Sequence, residues 1–300
     1  MNKKTDAFDN KKIKVPFVVP TINSNDKNQI LKALSSNLLT DGPNLREFEK
    51  KFQNYTKSNF STGVSNATAG LMLSLKALGI SKNDEVIIPD MTFVATANAV
   101  LSCDATPVLA DVNYEDLNIS IDSIEENITN RTGAIIPVHF AGKSCNMKQI
   151  MKIAKKYDLK IVEDCAHALG TFYDKKHVGT FGDTGCFSFY PTKNLTTFEG
   201  GMIISKAKKI TEILRKSRNH GIDKSLKDRF TRGKPWEFDI EELGFNFRLD
   251  EIRSALGNNQ LKRLGNMNNQ RRSAAKYYHS KLKDVKGISL PSQKLSANNS

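Results

Sequence analysis

The chain of 300 residues has little of what marks several common protein classes. Its four cysteines, Cys103, Cys145, Cys165 and Cys186, include no CxxC pair, which excludes the usual zinc and disulfide frameworks and predicts free thiols. Nine prolines and 18 glycines exclude collagen-like and low-complexity chains. No apolar run approaches the roughly 20 residues that span a membrane, and the charged N-terminus lacks the apolar core of a secretory signal. The sequence therefore predicts a soluble, cytoplasmic, globular protein.

Acidic residues are scarce in the last third of the chain. Residues 201–300 hold 22 Lys and Arg against 10 Asp and Glu, whereas residues 1–200 hold 23 against 22. A basic surface attracts nucleic acids or anionic small ligands, although it is more often only a solvated helical face. No zinc-finger spacing, aromatic RNA-binding motif or basic leucine zipper accompanies the charge. The charge alone therefore identifies no partner, and no nucleic-acid partner is predicted.

Short apolar runs alternate with helical patterns along the first 205 residues. Strands are predicted at 85–88, 107–110, 134–136, 160–162, 186–190 and 202–205, and helices at 45–55, 67–78, 92–102, 121–128 and 146–157. Beyond 206 the pattern is helical, with a long helix from Asp250 toward Lys283 in which Gly265 is the candidate break. Strands that are apolar on both faces and separated by helices are typical of a parallel sheet. The pattern predicts an α/β fold with a mostly parallel central sheet covered by helices.

Several familiar motifs are missing at the carboxyl ends of these strands, where ligands of such folds bind. No GxGxxG follows a strand, no GxSxG is present, and Pro137 replaces the first glycine of a P-loop that would end at Ser144. The histidines, His139, His167, His177, His220 and His279, lack the spacing of a metal site. The sequence predicts neither a dinucleotide site nor a metal site.

A different set of residues stands at the predicted strand ends. Asp164 follows one apolar strand, Ser188 ends another, and Lys193 lies in the loop beyond it. Asn66 precedes a helix whose first N–H groups favour a phosphate. Each residue alone has an ordinary explanation as a surface charge, turn former or helix cap. Together they provide a Schiff-base lysine, a carboxylate for a pyridinium nitrogen and a phosphate cup, which are what pyridoxal 5′-phosphate requires.

The runs around these residues are similar to those of the sugar-nucleotide aminotransferases, the DegT/StrS branch of the fold type I pyridoxal-phosphate enzymes. Matching runs are VSNATA at 64–69, TFVAT at 92–96, EDCAHA at 163–168, the loop at 187–201, RNHG at 218–221 and GFNFRL at 244–249. The resemblance covers some 220 residues in the expected order. It implies a fold type I aminotransferase with a large cofactor-binding domain at 1–245. It also implies a small C-terminal domain that begins at 246–300 and is incomplete, because members of the family usually continue further.

The resemblance implies a role for each residue around the cofactor ring. Lys193 corresponds to the lysine that binds the cofactor as an imine, and Asp164 to the carboxylate that pairs with the pyridine nitrogen. His167 stands near the position of the phenolic oxygen, unless it is a packed structural histidine. Phe93 corresponds to the aromatic residue that stacks on the ring, although a phenylalanine in such a run is otherwise an ordinary core residue.

The phosphate site implied by the resemblance extends over two subunits. Ala67 would contribute a backbone N–H, in a position where the family usually has glycine, and Thr68 and Ser188 their hydroxyl groups. Asn246 aligns with a residue that reaches the phosphate from the neighbouring subunit, unless it is only a turn residue. A shared site implies a homodimer.

The resemblance also implies transamination of a nucleotide-linked keto-deoxy sugar for amino-sugar and surface-glycan biosynthesis. Lys193 stands where a dehydrating branch of the family has histidine, which disfavours dehydration. His167 and the segment at 235–244 favour amination at C4 with glutamate as donor, and the basic region at 215–234 would attract the diphosphate. The alternatives are amination at C3 and a non-catalytic regulatory or nucleic-acid-binding homologue.

Overall fold

Helices and strands alternate along the computed structural model, which describes residues 18–224, 229 and 236–291. In these residues the helices are α1 (Ser24–Leu34), α2 (Pro43–Thr56), α3 (Ala67–Ala77), α4 (Ala95–Leu101), α5 (Ile121–Glu126), α6 (Met147–Tyr157), α7 (Lys208–Ser217) and α8 (Glu251–Leu282). The strands are β1 (Phe60–Val64), β2 (Glu85–Pro89), β3 (Thr106–Ala110), β4 (Thr132–Ile135), β5 (Lys160–Asp164), β6 (Phe172–Tyr173), β7 (Lys176–His177), β8 (Thr184–Ser188) and β9 (Gly201–Ser205). Every strand predicted from the sequence is present, with ends that differ by a few residues.

Seven strands form the central sheet in the order β1-β9-β8-β5-β4-β2-β3, and β6 and β7 form a separate hairpin. Strand β9 is antiparallel to both of its neighbours, and the other six strands all point the same way. The carboxyl ends of β1, β5 and β8 therefore meet the amino end of β9 at one edge of the sheet. The prediction of a mostly parallel sheet is confirmed.

Helices cover the sheet on both faces because each presents an apolar stripe to it. On one side, Leu71 and Leu75 of α3 pack with the sheet residues Val64, Val86 and Ile88. On the other side, four phenylalanines pack with the apolar residues of α8. Two of them belong to α2, one lies within β8, and one directly follows β8. These phenylalanines are Phe48, Phe52, Phe187 and Phe189. The same side continues through α5 and α6 to the far end of the sheet.

Helix α8 runs without a break through Gly265, so the predicted interruption at this residue is wrong. Gly265 is exposed, and the neighbouring turns are held by buried residues that extend as far as Asn268. At its first residue, the buried Glu251 accepts three backbone N–H bonds from the start of α2. Since the N-cap position of α2 is Gly42, whose missing side chain cannot cap, Glu251 supplies the cap from 200 residues away in the chain.

Helix α1 and strand β1 were not predicted from the sequence. Asn23 and Asp26 form a capping box at the start of α1, and the buried Asp26 carboxylate also binds three side chains of α8. These are Asn259, Gln260 and Arg263. Helix α1 is held in place by hydrogen bonds more than by an apolar face. Its sequence therefore shows little of the apolar periodicity from which a helix is predicted.

All four cysteines are buried and unpaired, as predicted. Within the described ranges, no helix combines the length and the apolar character that crossing a bilayer requires. Of the basic region at 215–234, residues 225–228 and 230–234 lie outside the described residues, as does the end of the chain from 292.

Candidate active site

A cavity of about 1110 Å³ opens at the sheet edge where β5 and β8 end and α3 begins. Seven of the eight residues predicted to bind the cofactor line it. They are Ala67, Thr68, Phe93, Asp164, His167, Ser188 and Lys193. The parallel topology brings them together because the carboxyl ends of successive strands lie side by side. Asn246, the eighth, is exposed and is not among the residues that line this cavity.

Asp164 is the last residue of β5 and is buried in the wall of the cavity. Its Oδ2 accepts a hydrogen bond from Thr96 Oγ1 at 3.2 Å, and its Oδ1 accepts one from the Ala166 N–H at 3.0 Å. Thr96 also pairs with Thr92 at 2.8 Å. These contacts hold the carboxylate in one orientation. The two threonines were not predicted as site residues, although both lie in the TFVAT run that identified Phe93.

Lys193 lies half-buried in the loop after β8. Its backbone N–H donates to the Tyr190 carbonyl at 2.9 Å, which closes a turn at the start of the loop. Burial lowers the pKa of the Lys193 amine, and the negative charge of Asp164 opposes this shift only in part. A lower pKa leaves a larger fraction of the amine neutral near pH 7, as a nucleophilic or proton-accepting lysine requires.

His167 shares the cavity with Lys193 and Asp164. Burial and the positive charge of Lys193 lower the pKa of its imidazole, while Asp164 raises it. The ring packs edge-on against Phe140, with 6.2 Å between ring centroids. The imidazole is therefore neutral at pH 7 and faces the cavity, which fits either a cofactor contact or a packed histidine.

The amino end of α3 forms a second wall of the cavity. The Asn66 side chain caps the helix by accepting from the Ala69 N–H at 2.8 Å. The N–H groups of Ala67 and Thr68 belong to the first turn, where no intrahelical acceptor exists and the helix dipole favours an anion. A side chain at Gly201 would lie within 3.0 Å of the Asn66 and Ala67 backbone, so the glycine lets α3 pack directly onto β9.

Phe93 presents its ring to the cavity and is 75 % exposed. The alternative interpretation of Phe93 as an ordinary core residue is therefore wrong. Its ring offers a face on which a flat heterocycle can stack.

Asn246 lies on an extended segment whose backbone pairs with Asn219. Its neighbours Phe245 and Phe247 stack with ring centroids 5.1 Å apart, and Phe247 lines the cavity while Asn246 does not. The role of Asn246 in a partner subunit's cavity stays a prediction.

His139, Glu163 and Cys165 form a buried cluster behind β5 whose ligand-type atoms lie within 4.8 Å of one another. Glu163 Oε2 lies 3.0 Å from His139 Nε2, and the His139 Nδ1 accepts the backbone N–H of Cys145. Glu163 also accepts backbone N–H bonds from Gly179, Phe181 and Gly182. Burial raises the pKa of Glu163, but the hydrogen bond from His139 and those from the backbone lower it overall. The cluster holds the end of β5 in place through these bonds.

The fold and the cavity define a fold type I pyridoxal-phosphate enzyme, and comparison with known proteins identifies its family. The chain belongs to the DegT/DnrJ/EryC1/StrS aminotransferase family, whose model matches residues 20–300. It is therefore an aminotransferase that depends on pyridoxal phosphate. Solved structures similar to it include the pyridoxal-phosphate and pyridoxamine-phosphate forms of a putative sugar aminotransferase from Streptococcus pneumoniae.

Individual relatives match most of the chain. It is 42 % identical over 280 residues to the uncharacterized protein MJ1066 of Methanocaldococcus jannaschii, covering 93 % of this chain and 72 % of the relative. It is 36 % identical over 277 residues to SpsC, a spore coat polysaccharide biosynthesis protein of Bacillus subtilis, covering 92 % and 71 %.

Two solved structures show the same fold at similar identity. PseC of Helicobacter pylori, an aminotransferase of pseudoaminic acid biosynthesis, is 34 % identical with a TM-score of 0.83, covering 90 % of this chain and 71 % of PseC. DesI, solved in the presence of its TDP-sugar product, is 31 % identical with a TM-score of 0.81, covering 93 % and 68 %.

The side chains in the cavity fit the cofactor of the family. A half-buried amine, a buried carboxylate and the free N–H groups of a helix terminus are the groups that its aldehyde, pyridine nitrogen and phosphate require. Ala67, where glycine is usual, still offers its N–H because a methyl group removes no donor. When bound, pyridoxal phosphate supplies an electron sink for the carbon that loses a proton in transamination.

Proposed function

We propose that the chain transfers an amino group from an amino acid to a keto-deoxy sugar carried by a nucleotide. The observation that supports this most directly is the placement of Lys193, Asp164 and the amino end of α3 around one cavity. The names of the relatives support the sugar substrate, since SpsC and PseC serve polysaccharide and pseudoaminic acid biosynthesis and DesI forms a TDP-sugar product.

Lys193 and Asp164 are the proposed catalytic residues. Lys193 Nζ would hold the cofactor covalently, and its amine would serve as the base that moves a proton. Asp164 would hold the pyridine nitrogen in its protonated form. Thr96 orients the Asp164 carboxylate through the hydrogen bond described above.

The remaining cavity residues are proposed to bind the cofactor. The N–H groups of Ala67 and Thr68 and the Ser188 hydroxyl hold the phosphate, Phe93 stacks on the ring and His167 lies beside the phenolic oxygen. Asn246 reaches the phosphate of the partner subunit, which makes the enzyme a homodimer with shared sites. The free thiols support a cytoplasmic location, and the proposed domains are 1–245 and 246–300.

The cations proposed to attract the diphosphate must lie outside the buried part of the basic region. Arg218 is buried and bound to Glu49 at 2.7 Å and to the Gly63 carbonyl at 2.6 Å. Its guanidinium is committed to the fold. Arg215, which is half exposed, lies 3.5 Å from Glu49 and outside the lining of the cavity.

The covalent role of Lys193 has a direct test. We expect borohydride reduction of the loaded protein, followed by peptide mapping, to place a pyridoxyl group on Lys193 and a Lys193→Arg variant to lose it. Lys206→Arg is the matched control, because burial also lowers the pKa of Lys206 but this lysine lies outside the cavity. A pyridoxyl group on Lys206, or on no lysine of saturated protein, would contradict the assignment.

The regiochemistry needs a separate experiment. We propose amination at C4 with glutamate as donor, supported by His167 and by the segment at 235–244. Matched 3-keto and 4-keto nucleotide sugars are offered with glutamate, and NMR locates the new amine. An amine at C3 alone would favour the other sugar-aminating branch. A loaded protein that turns over no keto sugar would favour a regulatory homologue.

A further inference from the structure

Helix α8 passes beside two loops of the cavity, and Asn268 contacts both of them. Asn268 is 1 % exposed. Its Oδ1 accepts from Asn194 Nδ2 at 2.9 Å, and its Nδ2 donates to the Leu169 carbonyl at 2.9 Å. Asn194 directly follows Lys193, and Leu169 lies in the segment after β5, five residues beyond Asp164 and two beyond His167. One buried amide therefore joins the lysine loop to the segment that follows Asp164 and carries His167.

The residue after Leu169 is a glycine, which leaves the space that this amide occupies. Gly170 has a φ of +103°, and a Cβ at this position would lie 2.3 Å from Asn268 Nδ2. A side chain at position 170 would thus displace the amide as well as strain the backbone. The Gly170 N–H in turn donates to His177 Nε2 at 3.0 Å, which fixes the turn from its other side.

Two arginines one turn further along α8 add weaker contacts to the same loops. Arg271 donates to the carbonyls of Lys193 at 3.2 Å and Asn194 at 3.4 Å. Arg272 donates to the Gly170 carbonyl at 3.3 Å. Unlike Asn268, Arg271 is exposed, so its hydrogen bonds compete with water. We therefore expect the loss of the Asn268 hydrogen bonds to disturb the two loops more than the loss of the arginine contacts.

We propose that Asn268 is a positioning residue of the active site, whose amide sets the place of Lys193 relative to Asp164 and His167. The proposal rests on the proposed role of Lys193. An amide is required because one end of the group must donate and the other accept in a buried place. Aspartate at this position could still accept from Asn194, but it would face the Leu169 carbonyl with a second acceptor.

Two variants each remove one of the two hydrogen bonds of Asn268. Asn268→Asp loses the N–H that donates to the Leu169 carbonyl and changes the shape of the side chain little. Asn194→Ala removes the amide of the lysine loop that donates to Asn268 Oδ1. In the loaded enzyme we expect both to shift the apparent pKa read from the absorption of the cofactor bound to Lys193 by about half a unit or more. We also expect kcat to fall about tenfold or more, because Lys193 and Asp164 are no longer held in their relative positions. Combining the two variants should give less than the sum of the separate effects.

Asn266→Asp is the matched control, since it makes the same chemical change at an exposed position of the same helix. It should leave the absorption titration and kcat unchanged. A lower melting temperature of Asn268→Asp with an unchanged titration and kcat would show a merely structural role and overturn the proposal. If Asn268→Asp does not fold, Asn194→Ala decides in the same way.

A measurement without cofactor separates this proposal from the proposed function. Hydrogen exchange of the cofactor-free chain should be faster in both 165–170 and 190–197 when Asn268 is changed to Asp. Unchanged exchange in these segments would overturn the link. If the exchange changes but wild-type protein carries no pyridoxyl group on Lys193, the proposed function fails while the structural link stands.

Discussion

Burial changes the proton affinity of two side chains in the cavity in the same direction. Lys193 and His167 both have lowered pKa values through burial, and Asp164 opposes the shift in both cases. Removing a cation from water costs free energy that a single nearby carboxylate repays only in part. Burial thus favours the neutral forms of the Lys193 amine and the His167 imidazole.

His177, which accepts a hydrogen bond from the Gly170 N–H, shows the same effect of burial more strongly. Its Nδ1–H donates to the Val178 carbonyl at 2.6 Å and its Nε2 accepts from Gly170, so both nitrogens are satisfied in the neutral form. The rings of Phe172 and Phe187 pack on it at 5.1 and 5.7 Å. Burial lowers its pKa to about 4.

This histidine makes folding stability depend on pH in a defined window. The unfolded chain binds a proton near pH 6.5 and the folded chain only near 4, so the contribution is full above 6.5 and is lost as the pH falls to 4. We expect a loss of about 3 kcal/mol in the free energy of unfolding across this window. Urea unfolding at pH values from 4 to 7.5 measures it.

The variant His177→Gln should flatten this dependence, and His279→Gln near the end of α8 should keep the wild-type slope. Glu163, whose pKa is lowered, contributes stability that is lost only as the pH falls below its ordinary value of 4.5. Its effect therefore belongs to a lower pH range. A His177→Gln protein with the wild-type slope between pH 6.5 and 4 would contradict the assignment.

At the scale of elements, α8 is divided into a packed first half and an exposed second half. Buried residues occur along it as far as Asn268, and its two glycines lie in different surroundings. A Cβ at Gly257 would meet the Phe48 ring at 2.6 Å, whereas a Cβ at Gly265 would meet no atom within 4 Å. Gly257 is required by packing against α2, and Gly265 is not required by any contact of this kind.

Alanine at these two positions should change stability in opposite directions. Gly265→Ala should raise the free energy of unfolding by about 0.5–1 kcal/mol, because alanine loses less backbone entropy in a helix. Gly257→Ala should lower it by about 1–3 kcal/mol, because the methyl group overpacks the Phe48 ring. Urea unfolding of both variants beside wild type is the measurement. A destabilised Gly265→Ala protein would contradict this expectation.

At the scale of the whole molecule, the cavity edge exposes a short run of apolar side chains. Met91, Phe93 and Val94 are exposed in one stretch before α4, and Asn246 is exposed away from its own cavity. Met91 and Phe93 line the cavity, whereas Val94 and Asn246 lie outside its lining. Both are open to contact with a second chain, as the proposed homodimer with shared sites requires.

Subunit mixing tests whether the sites are shared. Lys193→Ala and Asn246→Ala should each be inactive or nearly so alone, because each removes a proposed site residue. In an equal mixture about half of the dimers are mixed and each has one intact site, so about a quarter of wild-type activity should return. Initial rates after exchange, with exchange confirmed by mass spectrometry, provide the measurement. No recovery in confirmed mixed dimers would contradict a shared site.

The sequence by itself predicted the alternation of strands and helices and, with the family resemblance, seven of the residues that line the cavity. Both depend on local patterns, since apolar periodicity reports which face of a short segment is buried and a motif such as SNAT or FYPTKN is contiguous. The prediction of Lys193, Asp164 and Ser188 at strand ends needed only that parallel strands finish at one edge.

Only the tertiary structure decided how α8 and the cavity are joined. Asn268 lies 74 residues from Asn194 and 99 from Leu169, and Glu251 caps a helix more than 200 residues away. By sequence alone, an asparagine in a long polar helix is expected to be an ordinary surface residue. The residues next to Asn268 give no pattern that predicts a buried amide. Hydrogen bonds between such distant groups are set by packing, which brings their donors and acceptors together only after the sheet and helices have assembled.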